Sequence, residues 1–308
     1  MALWGRLRKQ LALQYNGTAE VRSGSCKMNE FPTPEAVVVG IDGSKAAVYA
    51  ALWAVDEAIS RDIPLRLLYA IEPDDAELLR PDQAARKLAI AENAIRYAFT
   101  AVEASDKPVK IEVEITQERA ITSLIRASAS AAMVCVGAVG AYHFQPGRVG
   151  STAAVVAGSA HCPVAVIRGH GDRATRRAHW IVVDVRGVAD NGALLGIAIE
   201  EARLSNAPLR AITCRQAEGA STDDDSQVRA DLERRLTRWT RRYRDVRVEY
   251  EAVHGSVLDH VAQNSRSVQL LVVSARDHGY LEQIVGPNGN AVLHNADCSL
   301  LVVDHQHL

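Results

Sequence analysis

The chain has 308 residues, 48% of them apolar and 23% charged, with a formal net charge of −2. That length suffices for two ordinary domains, and so small a charge supplies no field that would recruit nucleic acid or a membrane surface. No apolar run approaches the roughly 18–20 residues that span a bilayer, and the five cysteines, never spaced CxxC, suit a reducing compartment rather than a disulfide framework or a zinc site.

Residues 1–34 lack the long apolar core and small-residue cleavage site of a secretory signal and read as a disordered extension. A second reading makes residues 2–14 a short basic amphipathic helix, with Leu3, Trp4, Leu7, Leu11 and Leu13 apolar, able to touch a membrane or a partner. Met28 is a candidate start, because the first strand begins only after Pro34.

From residue 35 onward, apolar runs alternate with stretches of helical spacing. Residues 36–42 form a continuous apolar run, expected to be a buried parallel strand. A helix is predicted over 45–61, a strand over 65–71 and a long helix over 81–104. "VKIEVEIT" (109–116) alternates strictly, with Lys110, Glu112 and Glu114 on one face, which suits a half-exposed edge strand. A helix over 120–129, a buried strand over 132–137, a helix over 151–160 and a last strand over 163–168 complete the unit. Five strands alternating with four helices make a doubly wound parallel α/β domain.

The chain then repeats itself. Residues 36–71 resemble 180–214 at an offset of 144, with Gly43, Glu57 and Pro64 matching Gly187, Glu201 and Pro208. "VKIEVEIT" matches "VRVEYEAV" (246–253) and 131–140 matches 268–277, both offset by 137; "HCPVAVIR" (161–168) matches "DCSLLVVD" (297–304), offset by 136. The expected organisation is therefore an extension (1–34), a first domain (35–168), a polar linker (169–178) and a second domain (179–304). In such sheets ligands bind beyond the carboxyl ends of the strands where the strand order reverses. The loops after the first strand, "GIDGS", and after the fourth, "VGAVGAYHFQPGRVGST" (136–152), are the candidates.

At these residues the chain resembles the universal stress protein family in its tandem form. The nucleotide-binding members carry G-x2-G-x9-G-[S/T] after the fourth strand, a spacing met by Gly137, Gly140, Gly150 and Ser151. "VGIDGS" (39–44) and "AHCPV" (160–164) match two further motifs. The resemblance implies a Rossmann-like fold of the adenine nucleotide alpha hydrolase type, with ATP and Mg2+ bound between the first and fourth strands. It implies Gly40, Ile41, Asp42 and Ser44 at the first-strand loop, with Asp42 accepting hydrogen bonds from the ribose or adenine side, and Ala70 at the adenine edge.

The implied phosphate site has physical reasons at each position. Gly137 closes the strand where a Cβ would crowd the nucleotide. Gly140 brings the backbone close and takes conformations closed to other residues. Gly150, Ser151 and Thr152 open a helix whose unpaired N–H groups favour an anion, and the Ser151 hydroxyl can cap that helix and bond a phosphate. Arg148 is a candidate partner of the triphosphate. Without the resemblance, these glycines read as an ordinary turn and Asp42 as a turn or cap residue.

The second copy departs from the pattern. Arg186 stands opposite Asp42, Ser274 opposite Gly137, Asp277 opposite Gly140 and Pro287 opposite Ser151; only Gly286, opposite Gly150, remains. Asp277 brings a negative charge towards the phosphate position, so the second domain is expected not to bind ATP in the family manner. A site in which Arg186 meets another anion or Asp277 is the alternative. The arginine-rich segment 229–245 places Leu232, Leu236, Trp239 and Tyr243 at helical spacing, a buried stripe with solvated arginines rather than a nucleic-acid surface.

The resulting expectation is a cytoplasmic, ATP-binding regulator of stress response and growth control. Its halves pair through their last strands, a homodimer and an unknown protein partner being further expectations. The alternative is a slow Mg-dependent ATPase or phosphotransfer enzyme on the same site. Neither a Walker loop nor a kinase motif set supports it.

Overall fold

The computed structural model describes residues 35–73, 81–140, 151–168, 179–185, 192–215 and 241–303, with 230, 233, 234, 236 and 237. The extension 1–34, the linker 169–178 and Arg186 lie outside them. The first half contains β1 (Val37–Gly40), α1 (Lys45–Arg61), β2 (Leu65–Ala70), α2 (Pro81–Glu103), β3 (Ile111–Thr116), α3 (Ala120–Ser128), β4 (Met133–Gly137), α4 (Ser151–Ser159) and β5 (Val164–Ile167). The second contains β6 (Trp180–Asp184), α5 (Gly192–Leu204), β7 (Leu209–Arg215), β8 (Val248–His254), α6 (Val257–Gln263), β9 (Val268–Ser274), α7 (His278–Val285), α8 (Pro287–Asn295) and β10 (Ser299–Val303).

All ten strands form one sheet in the order β3-β2-β1-β4-β5-β10-β9-β6-β7-β8. Each half is wholly parallel, and the halves meet where β10 runs antiparallel to β5, with Leu301 opposite Ala165. The register is the same in both copies. Val37 faces Leu65 and Met133, and its counterpart Ile181 faces Leu209 and Leu270. Continuous apolar strands such as "VVVG" and "VAVI" are buried on both faces, as parallel central strands require. One cluster packs α1, α2 and α5 on one face of the sheet, and a second packs α3, α4, α6, α7 and α8 on the other.

The first helix shows how the local sequence sets the packing. Ser44 caps α1 by accepting from the Ala47 amide at 3.0 Å, and Gly43 turns the chain into it with φ of +85°. Small residues Ala47, Ala50, Ala51, Ala54 and Ala58 let the helix lie close to the sheet. Its first turn presses on the end of β4: a Cβ added to Gly137 would stand 2.6 Å from the Ala46 carbonyl carbon and 2.8 Å from the Ala47 nitrogen. The expected reason for Gly137, crowding of a nucleotide, is thereby corrected. The helix itself excludes a side chain there.

The edge strands carry a duplicated charge network. On β2, Arg66 is almost fully buried and donates to Glu112 of β3 at 3.1 Å, while Lys110 donates to the same carboxylate at 2.9 Å. In the second copy Arg210 pairs with Glu249 at 3.2 Å and with Glu251 at 3.1 Å, and Arg247 pairs with Glu249. Burial pushes the Glu112 carboxyl up, but the bonds from Lys110 and Arg66 outweigh it and hold it below its ordinary 4.5.

The arginine-rich segment behaves as its pattern suggests where it is described: Leu236 is buried and Tyr243 packs on the core, with Leu232 and Trp239 outside the described residues. The connection after β9, the second copy's counterpart of the glycine-rich stretch 136–152, contains α7. Asp277 caps that helix by accepting from the Tyr280 amide at 3.0 Å, and Tyr280, Leu281 and Ile284 form its buried side.

Two outcomes follow from this packing. Gly137→Ala should destabilise the nucleotide-free protein by about 1–3 kcal/mol, the usual penalty for overpacking, as read by urea denaturation. A carboxyl held low when folded adds stability above its unfolded pKa and loses it as pH falls through the folded value. The wild-type urea midpoint should therefore drop as pH falls below about 4.5, and the Glu112→Gln, Glu249→Gln double variant should show a shallower drop.

Candidate functional site

At the carboxyl ends of β1 and β4, where the strand order reverses, the first half opens a cleft of about 620 Å³. That volume lies within the roughly 300–1,000 Å³ of small-molecule sites. The floor is Gly40 and Ile41 at the end of β1 with Val136 and Gly137 of β4; Leu68 to Pro73, running off the end of β2, form one wall. Thr152 and Ala153 in the first turn of α4 form the opposite wall, with Asp42, Ser44 and Gly140 between them.

Eight of the residues named from sequence thus line a single cavity: Gly40, Ile41, Asp42, Ser44, Ala70, Gly137, Gly140 and Thr152. Ser151 is the first residue of α4. Arg148 and Gly150 lie outside the described residues. They arrive by several local causes. The β1 residues come with a central strand, Ser44 with the cap of α1, and Thr152 with the start of α4.

Two expectations about geometry change. β1 ends at Gly40, so Asp42 sits in the turn beyond the strand, and its Oδ1 accepts from the Ser44 amide at 2.9 Å. One carboxylate oxygen is thus committed to shaping the loop, which is the turn role an aspartate before a helix commonly plays. Gly140 does not use the left-handed backbone: the described glycines with positive φ are Gly43 and Gly255. What constrains Gly140 is proximity, since a Cβ there would stand 3.0 Å from Asp42 Oδ2. The two loops of the cleft therefore touch each other directly.

Lys87 was not expected from sequence. It projects from α2 over the cleft and donates from Nζ to the Glu72 carbonyl oxygen at 3.0 Å, tying α2 to the chain beyond β2. Ile90, one turn further along α2, adds an exposed apolar edge to the same mouth. Leu124 of α3 closes the back, where its methyls would lie 3.3 Å from a Cβ on Gly40. None of these belongs to a local motif; only the crossing of α2 and α3 over the sheet brings them in.

The corresponding place in the second half is built differently. Asp184, at the position equivalent to Gly40, is buried and accepts a hydrogen bond from the Tyr280 hydroxyl of α7. The counterpart of Leu124 is Val261, a shorter side chain, buried like it. Asp277 is turned to capping α7, and Pro287 takes the first position of α8, where its missing N–H costs nothing. Among the described residues no group of three or more His, Cys, Asp or Glu is placed to hold a metal ion. No described helix is long and apolar enough to cross a membrane.

Comparison with known proteins agrees with this duplicated architecture. The universal stress protein family matches the chain twice, over residues 34–168 and 179–304. A universal stress protein of Mycobacterium tuberculosis, Rv2028c, is 62% identical over 281 residues, covering 91% of this chain and all of the relative. A second from the same organism, Rv2624c, is 43% identical over 272 residues, covering 88% of this chain and 97% of the relative. The crystal structure of a universal stress protein from Archaeoglobus fulgidus superposes with a TM-score of 0.64 at 15% identity, covering 88% and 96% of the two chains, a likeness of fold. With the family matched across both halves and the close relatives spanning nearly the whole chain, this protein belongs to the universal stress protein family, as a tandem pair of its domains.

Proposed function

We propose that the first half binds ATP with Mg2+ in the cleft between β1 and β4, and that the protein serves the stress response as a nucleotide-dependent regulator in the cytoplasm rather than as an enzyme. The observation that carries this reading is the convergence of Gly40, Asp42, Gly137, Gly140 and Thr152, from three separate stretches of chain, on one cavity of about 620 Å³.

The chemistry of the lining suits such a ligand. The apolar wall of Leu68, Ala70 and Ile71 would take the base, and the backbone beyond β2 offers the hydrogen-bonding edge that the family resemblance assigns to adenine. The N–H groups of the first turn of α4, with the Thr152 hydroxyl, would hold the phosphates, since that helix end carries unpaired donors and partial positive charge. Mg2+ binds through phosphate oxygens and water with few protein ligands, which fits a cleft whose motif carboxylate is Asp42. Regulation by such a ligand requires only that one conformation or partner surface binds it better.

Protein purified without added nucleotide should retain an adenine nucleotide, and calorimetry with Mg-ATP should give close to one site per chain. Turnover should stay below roughly 1 s⁻¹, the low end of ordinary enzymes; faster hydrolysis would favour an ATPase. Absence of bound nucleotide together with no thermal shift on adding Mg-ATP would sink the reading. Gly140→Asp puts a carboxylate beside Asp42 and the phosphates and should weaken ATP by at least about tenfold, since like charges about 4 Å apart near a surface repel by several kcal/mol. Lys87→Met should weaken ATP by up to about tenfold while leaving the urea midpoint nearly unchanged, because Lys87 spans the cleft mouth rather than the core.

A further inference from the structure

The second half contains a feature that pairing of two domains does not require. The chain after β9 folds into α7 and then α8, hinged at Gly286, which serves as the last cap of one helix and the first of the other. The hinge is tight. A Cβ on Gly286 would stand 2.4 Å from the Glu282 carbonyl oxygen, and one on Gly289 would stand 2.3 Å from those of Gln283 and Ile284. The backbones of the two helices therefore pack directly against each other at this turn.

One side of α7 faces the second half's own sheet. Tyr280, 5% exposed, directs its hydroxyl to Asp184, 2% exposed, at the end of β6. Because Asp184 is the counterpart of Gly40, which floors the ATP cleft of the first half, Tyr280 reaches the equivalent floor of the second. A hydrogen bond between two groups this buried is shielded from competition by water and is stronger than one at the surface.

The same buried side of α7 also reaches the seam between the halves. It packs against α4, and Leu281 and Ile284 share one apolar cluster with Ala153, Val156 and Ala157 of that helix. Leu281 Cδ2 lies 4.0 Å from where a Cβ on Gly158 would sit. The first turn of α4 carries Thr152 and Ala153, which line the ATP cleft.

We propose that Tyr280 is a positioning residue for the nucleotide cleft of the opposite half. By bonding Asp184 it fixes α7, and α7 fixes the rotation and depth of α4, whose first turn faces the phosphates. The second half thus keeps its site closed with its own side chain and uses the closure as a buttress. Coupling of this kind has a discrete physical carrier, a packed helix held at one end by a hydrogen bond. The inference rests on the reading that the first cleft takes ATP.

The test uses the full chain and four variants. Tyr280→Phe removes the hydroxyl alone, and Leu281→Ala loosens the contact with α4. Leu209→Val trims the buried core of the second half from the opposite face of the sheet, away from α7. Tyr280→Phe and Leu281→Ala should each weaken ATP by about three- to tenfold, with less than the product of the two effects in the double variant, as expected for residues acting through one element. Leu209→Val should lower the urea midpoint with unchanged ATP affinity. Equal effects from all variants, or none from Tyr280→Phe, would overturn the proposal. Hydrogen exchange of the nucleotide-free chain separates the two readings. Tyr280→Phe should speed exchange at residues 152–157 severalfold even if ATP binding itself fails, and unchanged exchange there would remove the buttress whatever the ligand is.

Discussion

The antiparallel pairing of β5 with β10 is the constraint on which the rest of the molecule depends. Each half ends in a short strand, "VAVI" and "SLLVV", apolar but for Ser299 and buried along its length. Left alone, either would be a flat hydrophobic edge, the kind of surface that pairs indiscriminately. Joining the two edges removes both at once, puts charged strands β3 and β8 at the outer edges, and turns two modest sheets into one of ten strands. The seam is specified by polar contacts as well as by apolar surface. Arg168, just past β5, is buried and donates its backbone N–H to Ser299 Oγ at 3.0 Å and its guanidinium to Asn290 of α8. Burial lowers that guanidinium to about 10, which still leaves it charged at neutral pH. A buried cation with few partners is costly to leave unmatched, so the seam tolerates only the arrangement that supplies Asn290 and Ser299.

That arrangement is asymmetric, and the asymmetry separates the two halves. The counterpart of Asn290 in the first half is Ala154 and the counterpart of Ser299 is Pro163, so the polar contacts run one way across the pseudo-twofold. The same holds at the strand ends. Gly40 leaves room for a cleft where Asp184 fills it, and Leu124 is matched by the shorter Val261. Register is shared by the two copies apart from a bulge at Trp180 against β9, so most divergence lies in loops and in side chains on the upper ends of the strands. A sheet buried on both faces cannot change register without turning every side chain to the wrong side; the connections carry no such penalty.

Much of the fold was legible because its signals are local or repeated. Apolar runs gave the strands, the alternation in "VKIEVEIT" placed β3 at an edge, and the duplication supported each element with a second example. The lining of the cleft was legible for a different reason: strand ends in a doubly wound sheet converge by topology, so Asp42 and Gly140 could be placed together without knowing their contact. What was not legible depends on distance in the chain. Lys87 reaches the cleft only through the path of α2 over the sheet. The role of Gly137 depends on α1 lying against β4, roughly ninety residues away in sequence; the pattern of glycines after β4 alone suggested a ligand instead. The network of Arg66 with Glu112 and Glu114 was half visible, the carboxylates from their alternation and the arginine hidden in an otherwise apolar strand.

The helix α7 is the most instructive of the unseen features. Its sequence, "HGYLEQIV", carries a glycine and two β-branched residues and little intrinsic helical preference. Its formation depends on the Asp277 cap at one end, on Tyr280 finding Asp184, and on Leu281 and Ile284 finding a surface that belongs partly to the other half of the chain. Tertiary burial, rather than propensity, stabilises a segment of this length. A segment whose helicity depends on a neighbour is also one through which the neighbour can be felt, because loss of either surface removes part of what holds it. In the duplicated copy Asp184 and Tyr280 meet where the first half has Gly40, and the helix that carries Tyr280 also packs behind the wall of the first half's cleft.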